Sequence, residues 1–212
     1  YPEHNQLDPG NPNCEESSAY PANPDSEYGW EKLFSERVFL AFARNYGLKV
    51  RIARFHNIFG PQGTWTGGKE KAPAAMMRKA AECIDGDQIE VWGDGLQTRS
   101  FLHVTECVEA VLRFVKSDFE GPVNIGSEEM VSINELAEMA ISASSKKIKI
   151  NNLDGQDFID KYGFKCPLGV KGRNSHNKLF KEKVGWEVSK KLNDGIKSTY
   201  KWIENQVQKN KK

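Results

Sequence analysis

Apolar residues recur at spacings of three and four through Trp30, Leu33, Phe34, Val38, Ala41 and Phe42, which predicts an amphipathic helix from near Ser26 to Tyr46-Gly47. A loop rich in Pro, Asn and Ser precedes it, at 9–24. Residues 49–57 (KVRIARFHN) are rich in branched and apolar side chains and stop at Gly60-Pro61, as a buried parallel strand does after a helix. Residues 63–68 hold too much Gly and Thr for a regular element, whereas 72–83 reads as a helix with Pro73 in its first turn. A strand at 88–92 ends in Gly93-Asp94-Gly95, and another at 101–104 leads through Thr105, as N-cap, into a helix reaching Val115. After a strand at 123–126, Ser132 and Glu135 form a capping box that opens a helix to about Ala143. A last strand at 147–151 is followed by residues 152–171, mostly loop, then by helices at 176–184 and 192–208 and a frayed lysine tail. Helix and strand alternate throughout, which places the chain in the α/β class.

Composition narrows the function classes. Thirty basic against 29 acidic residues leave a net charge of +1, so no global field draws the chain to nucleic acid or an anionic membrane, and phosphate binding has to be local. No apolar run approaches the roughly 20 residues of a membrane helix, and no basic and apolar leader opens the sequence. Cys14, Cys83, Cys107 and Cys166 show no metal-ligand spacing, nor do His4, His103 and His176. Free thiols in a soluble, cytoplasmic protein are the expectation. The opening Tyr1-Pro2-Glu3 lacks an initiating Met, and the chain reads as a fragment.

Tyr28 and Lys32 stand four apart at the start of the first helix and so share a face. Oxidising an alcohol needs a base to take the hydroxyl proton as hydride leaves, and an ammonium one turn from a phenol favours its charged form. Taken alone, the spacing is better described as a helix-start aromatic beside a solvated lysine. Three further segments change that balance: Arg54-Phe55-His56-Asn57-Ile58-Phe59-Gly60-Pro61, Gly93-Asp94-Gly95-Leu96-Gln97-Thr98-Arg99-Ser100-Phe101 and Val123-Asn124-Ile125-Gly126-Ser127. In this order and spacing, together with Tyr28 and Lys32, they resemble the NAD-dependent extended short-chain dehydrogenases/reductases that act on nucleotide sugars. The resemblance spans nearly the whole chain.

That resemblance implies NAD as cofactor, with Tyr28 as base and Lys32 on the cofactor ribose. It implies the later part of a Rossmann-type parallel sheet at 1–60, a substrate-binding segment at 61–100, a return to the Rossmann domain at 101–130 and a smaller α/β substrate domain at 131–212. Gly63-Thr64-Trp65-Thr66-Gly67-Gly68-Lys69-Glu70-Lys71-Ala72-Pro73-Ala74-Ala75, Arg173-Asn174-Ser175 and Tyr1-Pro2-Glu3 look like those members that take GDP-mannose and invert C3 and C5 of its sugar. In them C4 is first oxidised, the neighbouring C–H bonds become acidic, and a Cys and a Lys exchange the protons. Lys71 stands at the lysine position, and the cysteine position falls before Tyr1. A lysine serves as base where partial burial and cations, here Lys69, Arg78 and Lys79, disfavour its protonated form. One charge in a solvated Lys-Glu-Lys run is the plain alternative. By the same resemblance Asn57, Glu70, Lys71 and Ala72 contact the sugar, while Lys79, Gln97, Thr98, Arg99 and Arg173 hold the pyrophosphate and nucleotide, for which guanidinium forks are suited. Surface ion pairs are the alternative for the arginines, and His56 is either a substrate contact or a hydrogen-bonded structural histidine.

The glycine-rich phosphate loop and the ribose-binding acidic residue of a Rossmann domain are not in this sequence, so the cofactor site is incomplete and the piece alone is not expected to turn over. A 4-epimerase, dehydratase or decarboxylase of another nucleotide sugar is the nearest rival, and a truncated binding or assembly module the rival of another class. The apolar stripe of the first helix is broad enough to pack on the sheet and also to pair with its symmetry mate, which predicts a homodimer. Burial of the whole stripe in one subunit's core is the alternative.

Overall fold

The computed structural model describes residues 1–210; the lysine tail at 211–212 lies outside them. Helix α1 (Glu27–Tyr46) starts where Ser26 Oγ accepts the Gly29 amide at 3.3 Å, and ends at Gly47, whose φ of 68° suits a residue without a Cβ. The strand expected at 49–57 is shorter and divided. β1 (Ala53–Phe55) and β2 (Ile58–Phe59) are separated by Asn57, which sits in the left-handed region at φ 47°. β1 pairs in parallel with β6 (Val123–Ile125), and β2 in parallel with β5 (Leu102–His103).

Helix α2 (Ala72–Glu82) carries Pro73 in its first turn, as the sequence requires. β3 (Gln88–Trp92) pairs in parallel with β8 (Lys149–Leu153). β4 (Thr98–Ser100) lies between antiparallel β7 (Met130–Ser132) and parallel β9 (Gly172–Arg173), three short strands without periodicity in the sequence. Helix α3 (Val104–Lys116) begins two residues earlier than expected. Its N-cap is His103 rather than Thr105, because the His103 ring accepts the Thr105 amide. The capping box of α4 (Ile133–Ser144) forms in both directions, Ser132 Oγ taking the Glu135 amide and Glu135 taking the Ser132 amide. α6 (Lys178–Val184) and α7 (Leu192–Asn210) complete the order.

Two apolar clusters hold these elements. One joins α2, β3, α4 and α7 through Met77, Ala80, Ile89, Val91, Leu136, Ala140, Ile196 and Ile203. The other joins β5, α3, β6 and α6 through Leu102, Ala110, Phe114, Val123, Ile125 and Phe180, so residues 131–212 contribute to both. Helix α1 enters neither. The stripe expected to pack on the sheet is largely solvent-facing among the described residues, with Trp30 48%, Phe34 69% and Phe42 46% exposed, and Glu36 is the one buried residue of the helix.

The segment expected as loop at 152–171 contains α5 (Gly155–Tyr162). Phe158 is fully buried and meets the Trp92 ring edge-on at 5.1 Å between centroids, while Lys161 and the Tyr162 hydroxyl both donate to the Glu90 carboxylate. Packing on β3, not helix propensity, makes this helix. Phe158→Ala should lower the unfolding free energy by about 3 kcal/mol, in the range for a buried aromatic, and open 154–167 to protease. Unchanged denaturant unfolding and proteolysis would show that α5 is only a surface ornament.

Candidate active site

Three groups of predicted site residues emerge from this framework. On α1, Lys32 Nζ lies 5.2 Å from the centroid of the Tyr28 ring, one turn away; Tyr28 is 69% exposed, and Glu31 is the carboxylate beside the ammonium. Both side chains face solvent, free to meet a ligand.

In the second group Lys71 lines a cavity of about 190 Å³ between the end of β2, the loop at 63–71, α2 and α7, whereas its neighbours Asn57, Glu70 and Ala72 do not. Phe59, Gly60, Met77 and Thr199 form its walls, with Lys69 and Lys71 at its edge. Lys71 is the N-cap of α2 and is exposed, so the partial burial expected of it is not found; the open Gly63–Gly68 stretch leaves it to water. Glu70 beside it has a side chain only 7% exposed. Its Oε1 accepts Arg78 Nη2 at 3.0 Å, whereas its Oε2 is buried without a partner, an acceptor suited to a sugar hydroxyl. Burial opposes ionisation of this carboxyl, yet backbone amides and Arg78 hold it below the usual carboxylate range. Asn57 Nδ2 donates to Ser100 O at 3.0 Å, which fixes the side chain at the strand break, and Ala72 opens α2 next to Lys71.

The third group lies on β4 and β9, where Arg99 and Arg173 are register partners and Thr98 is opposite Gly172. Partners on adjacent strands project to the same face, so two guanidinium groups share one. Burial, and secondarily the Arg173 charge, pushes Arg99 down to about 10. Arg99 donates to the carbonyls of Thr98 and Val170, both at 2.7 Å, and Arg173 to Gln6 Oε1 at 2.6 Å and Asp25 Oδ2 at 3.1 Å. Thr98 Oγ1 donates to Pro9 O, and Gln97 is buried with its Nε2 unpartnered. Lys79 Nζ donates to Glu90 O at 2.6 Å, and burial lowers its pKa from the ordinary lysine value. Of all the predicted site residues only Lys71 lines this cavity; Tyr28, Lys32, Asn57, Glu70, Ala72, Lys79, Gln97, Thr98, Arg99 and Arg173 do not, although Arg173 is tied to α1 through Asp25, the residue before its N-cap.

Sequence reasoning did not single out Asp25, Glu36 or Thr199. Periodicity would have put Thr199 on the inner face of α7, but not in a cavity with Lys71. His56 is structural: 4% exposed, it donates through Nε2 to Asn124 Oδ1 at 3.0 Å, the oxygen that also accepts the Tyr1 hydroxyl. Among the described residues there is no cluster suited to a metal ion, and no helix is long and apolar enough to cross a membrane.

The chain belongs to the NAD dependent epimerase/dehydratase family, whose pattern matches residues 1–126. Within it, the chain is 51% identical over 211 residues to GDP-mannose 3,5-epimerase of Arabidopsis thaliana, with 100% of this chain and 52% of that protein covered. It is 50% identical to GDP-mannose 3,5-epimerase 1 of Oryza sativa subsp. indica over the same share of each. The chain thus spans about half the length of these curated relatives. The solved UDP-N-acetylglucosamine 4-epimerase of Methanobrevibacter ruminantium superimposes with a TM-score of 0.77 at 23% identity, covering 92% of this chain and 59% of that one, a likeness of fold. The α/β class and the Rossmann-like setting of the parallel strands, expected from the motifs, are borne out.

Burial lowers His56 to about 4 from the 6.5 of a free histidine. Between these values the unfolded chain binds the proton and the folded one does not, so stability falls as pH drops from 6.5 toward 4, by up to about 3 kcal/mol. Replacing His56 with Gln should flatten the acid limb of the stability–pH curve measured by denaturant unfolding. An acid limb as steep as wild type would remove His56 as its source.

Proposed function

We propose that this chain is the part of a GDP-mannose 3,5-epimerase that carries the tyrosine–lysine pair and the sugar pocket, in an enzyme interconverting GDP-mannose with GDP-L-galactose and GDP-L-gulose. The observation that carries the reading is Lys71 at the mouth of a sugar-sized cavity, beside a buried carboxylate oxygen without a partner, in a chain half identical along its length to proteins of that name. Other nucleotide-sugar epimerases, dehydratases and decarboxylases would share Tyr28, Lys32 and Arg99 but leave Lys71 without a task.

NAD fits the residues present: Tyr28 and Lys32 lie on one exposed face, where an ammonium can hold a ribose while the phenol reaches an alcohol. When bound, NAD takes and returns the hydride at sugar C4. Tyr28 accepts the C4 hydroxyl proton as the ketone forms and gives it back on reduction. Glu70 and Asn57 hold the sugar hydroxyls, and Arg99 and Arg173 the pyrophosphate. Lys71 then moves protons at a carbon beside the ketone. The reducing cytosol suits a chain whose four cysteines are all free thiols.

In the full-length enzyme, Lys71→Ala should still form transient NADH from GDP-mannose but lose solvent deuterium incorporation at C3 and C5 by at least about 10²-fold. Tyr28→Phe should lose the NADH signal itself. Normal exchange in the first variant, or NADH in the second, would overturn the respective role.

The exposed Trp30, Phe34 and Phe42 support pairing of α1 with its symmetry mate in a homodimer of the whole protein. Sedimentation of the full-length protein at micromolar concentration should give a dimer, and a fully active monomer would refute this use of the helix.

A further inference from the structure

The one buried residue of α1 is charged. Glu36, 8% exposed, lies one turn beyond Lys32, and both its oxygens are taken by Arg54 of β1: Nε to Oε2 at 2.9 Å and Nη2 to Oε1 at 2.7 Å. The remaining donors of Arg54 point elsewhere. Its Nη1 reaches Glu16 O at 3.1 Å and the Tyr1 hydroxyl at 3.3 Å, and the guanidinium lies 5.3 Å from the centre of the Tyr1 ring. Tyr1 in turn donates to Asn124 Oδ1 at 2.5 Å, and Asn124 Nδ2 donates to Cys14 O and His176 O at 2.8 and 3.1 Å. A connected polar network thus runs from the helix bearing Tyr28 and Lys32 to β1, the strand that leads to Asn57, and on into β6.

Net stability is a poor account of such a pair, because desolvating two charges consumes most of what their attraction returns, and apolar residues of similar volume often serve as well. What apolar packing cannot supply is register. A two-point fork between a planar guanidinium and a carboxylate fixes both the rotation and the sliding of the helix against the strand. Helix α1 enters neither apolar cluster, so among the described residues this fork is its main buried attachment. We propose that Glu36 and Arg54 are positioning residues, which set the helix so that Tyr28 meets the C4 hydroxyl of a sugar held at Asn57 and Lys71. The inference rests on the roles given above to those three residues. A misplacement of about 1 Å between reacting groups can lower a rate by about 10²-fold, which is the scale a sliding helix would reach.

The test uses the full-length enzyme with Glu36→Gln, Arg54→Lys and the pair together, beside Arg113→Ala, which removes only the surface pair with Glu109. The rate of NADH appearance in a single turnover and the dissociation constant for GDP-mannose are measured for each. Positioning predicts a fall of about 10-fold to 10²-fold in the oxidation rate, affinity within about three-fold of wild type, and a double variant no slower than the slower single one. The surface variant should match wild type. Glu36→Gln keeps the volume of the side chain, and Tyr1→Phe, which removes one hydroxyl at the edge of the network, should slow the same step by a few-fold. Oxidation rates at wild-type level, a loss confined to affinity, or additive losses in the pair would overturn the proposal. If Tyr28→Phe still forms NADH, the underlying assignment fails instead; if Tyr28→Phe is silent while Glu36→Gln oxidises normally, only the positioning role is lost.

Discussion

At Asn57 the backbone turns left-handed, and the rest of the fold follows from that turn. Without it, residues 49–59 would run as one strand against one partner. With it, β1 stays on β6 while β2 shifts onto β5, and the chain is delivered to the loop that carries Glu70 and Lys71. Asn is one of the few residues other than glycine that enters this region readily. Its side chain is then spent on Ser100 O, which joins the turn to the end of β4. A single left-handed position therefore links the strand pair under α3 to the three-stranded sheet bearing the arginines.

Much of this was legible in local signals. Ser26 and Gly47 bound α1, Pro73 and the Ser132/Glu135 box open α2 and α4, and β3 falls between its polar neighbours as read. Each of these depends on residues within one turn of one another. The misses depend on contacts distant in sequence. α5 needs Trp92 and Glu90, some 70 positions before the Tyr162 hydroxyl that binds Glu90; β4, β7 and β9 are three residues or fewer and exist only as a trio. Around the candidate site residues, the surroundings were not readable from the sequence. Lys71 stands in the expected segment, but its exposure depends on how the glycine-rich stretch before it lies, and the partner of Glu36 is 18 residues away on another element.

Carboxylates do much of the joining that apolar contacts do not. Glu128 takes the Asn177 amide at the start of α6, Glu129 the Leu192 amide at the start of α7, and Glu106 the Ser189 amide and hydroxyl between them. Each satisfies orphan N–H groups and sits at the positive end of a helix or turn. The loop after β6 thereby fixes where two helices begin, one for each apolar cluster. The cavity wall contributed by Thr199 inherits its place from Glu129, a residue that does not touch the cavity.

The side-by-side arginines of β4 and β9 have a consequence for how firmly α1 is held at its start. Two cations in register on neighbouring strands repel, and the protein quiets them with carbonyl oxygens for Arg99 and with Asp25 for Arg173. Asp25 is the residue just before the N-cap of α1, and its carboxylate pairs with Arg173. Losing that ion pair would therefore release one tether of α1, coupling the charge balance of this three-stranded sheet to the freedom of the helix start.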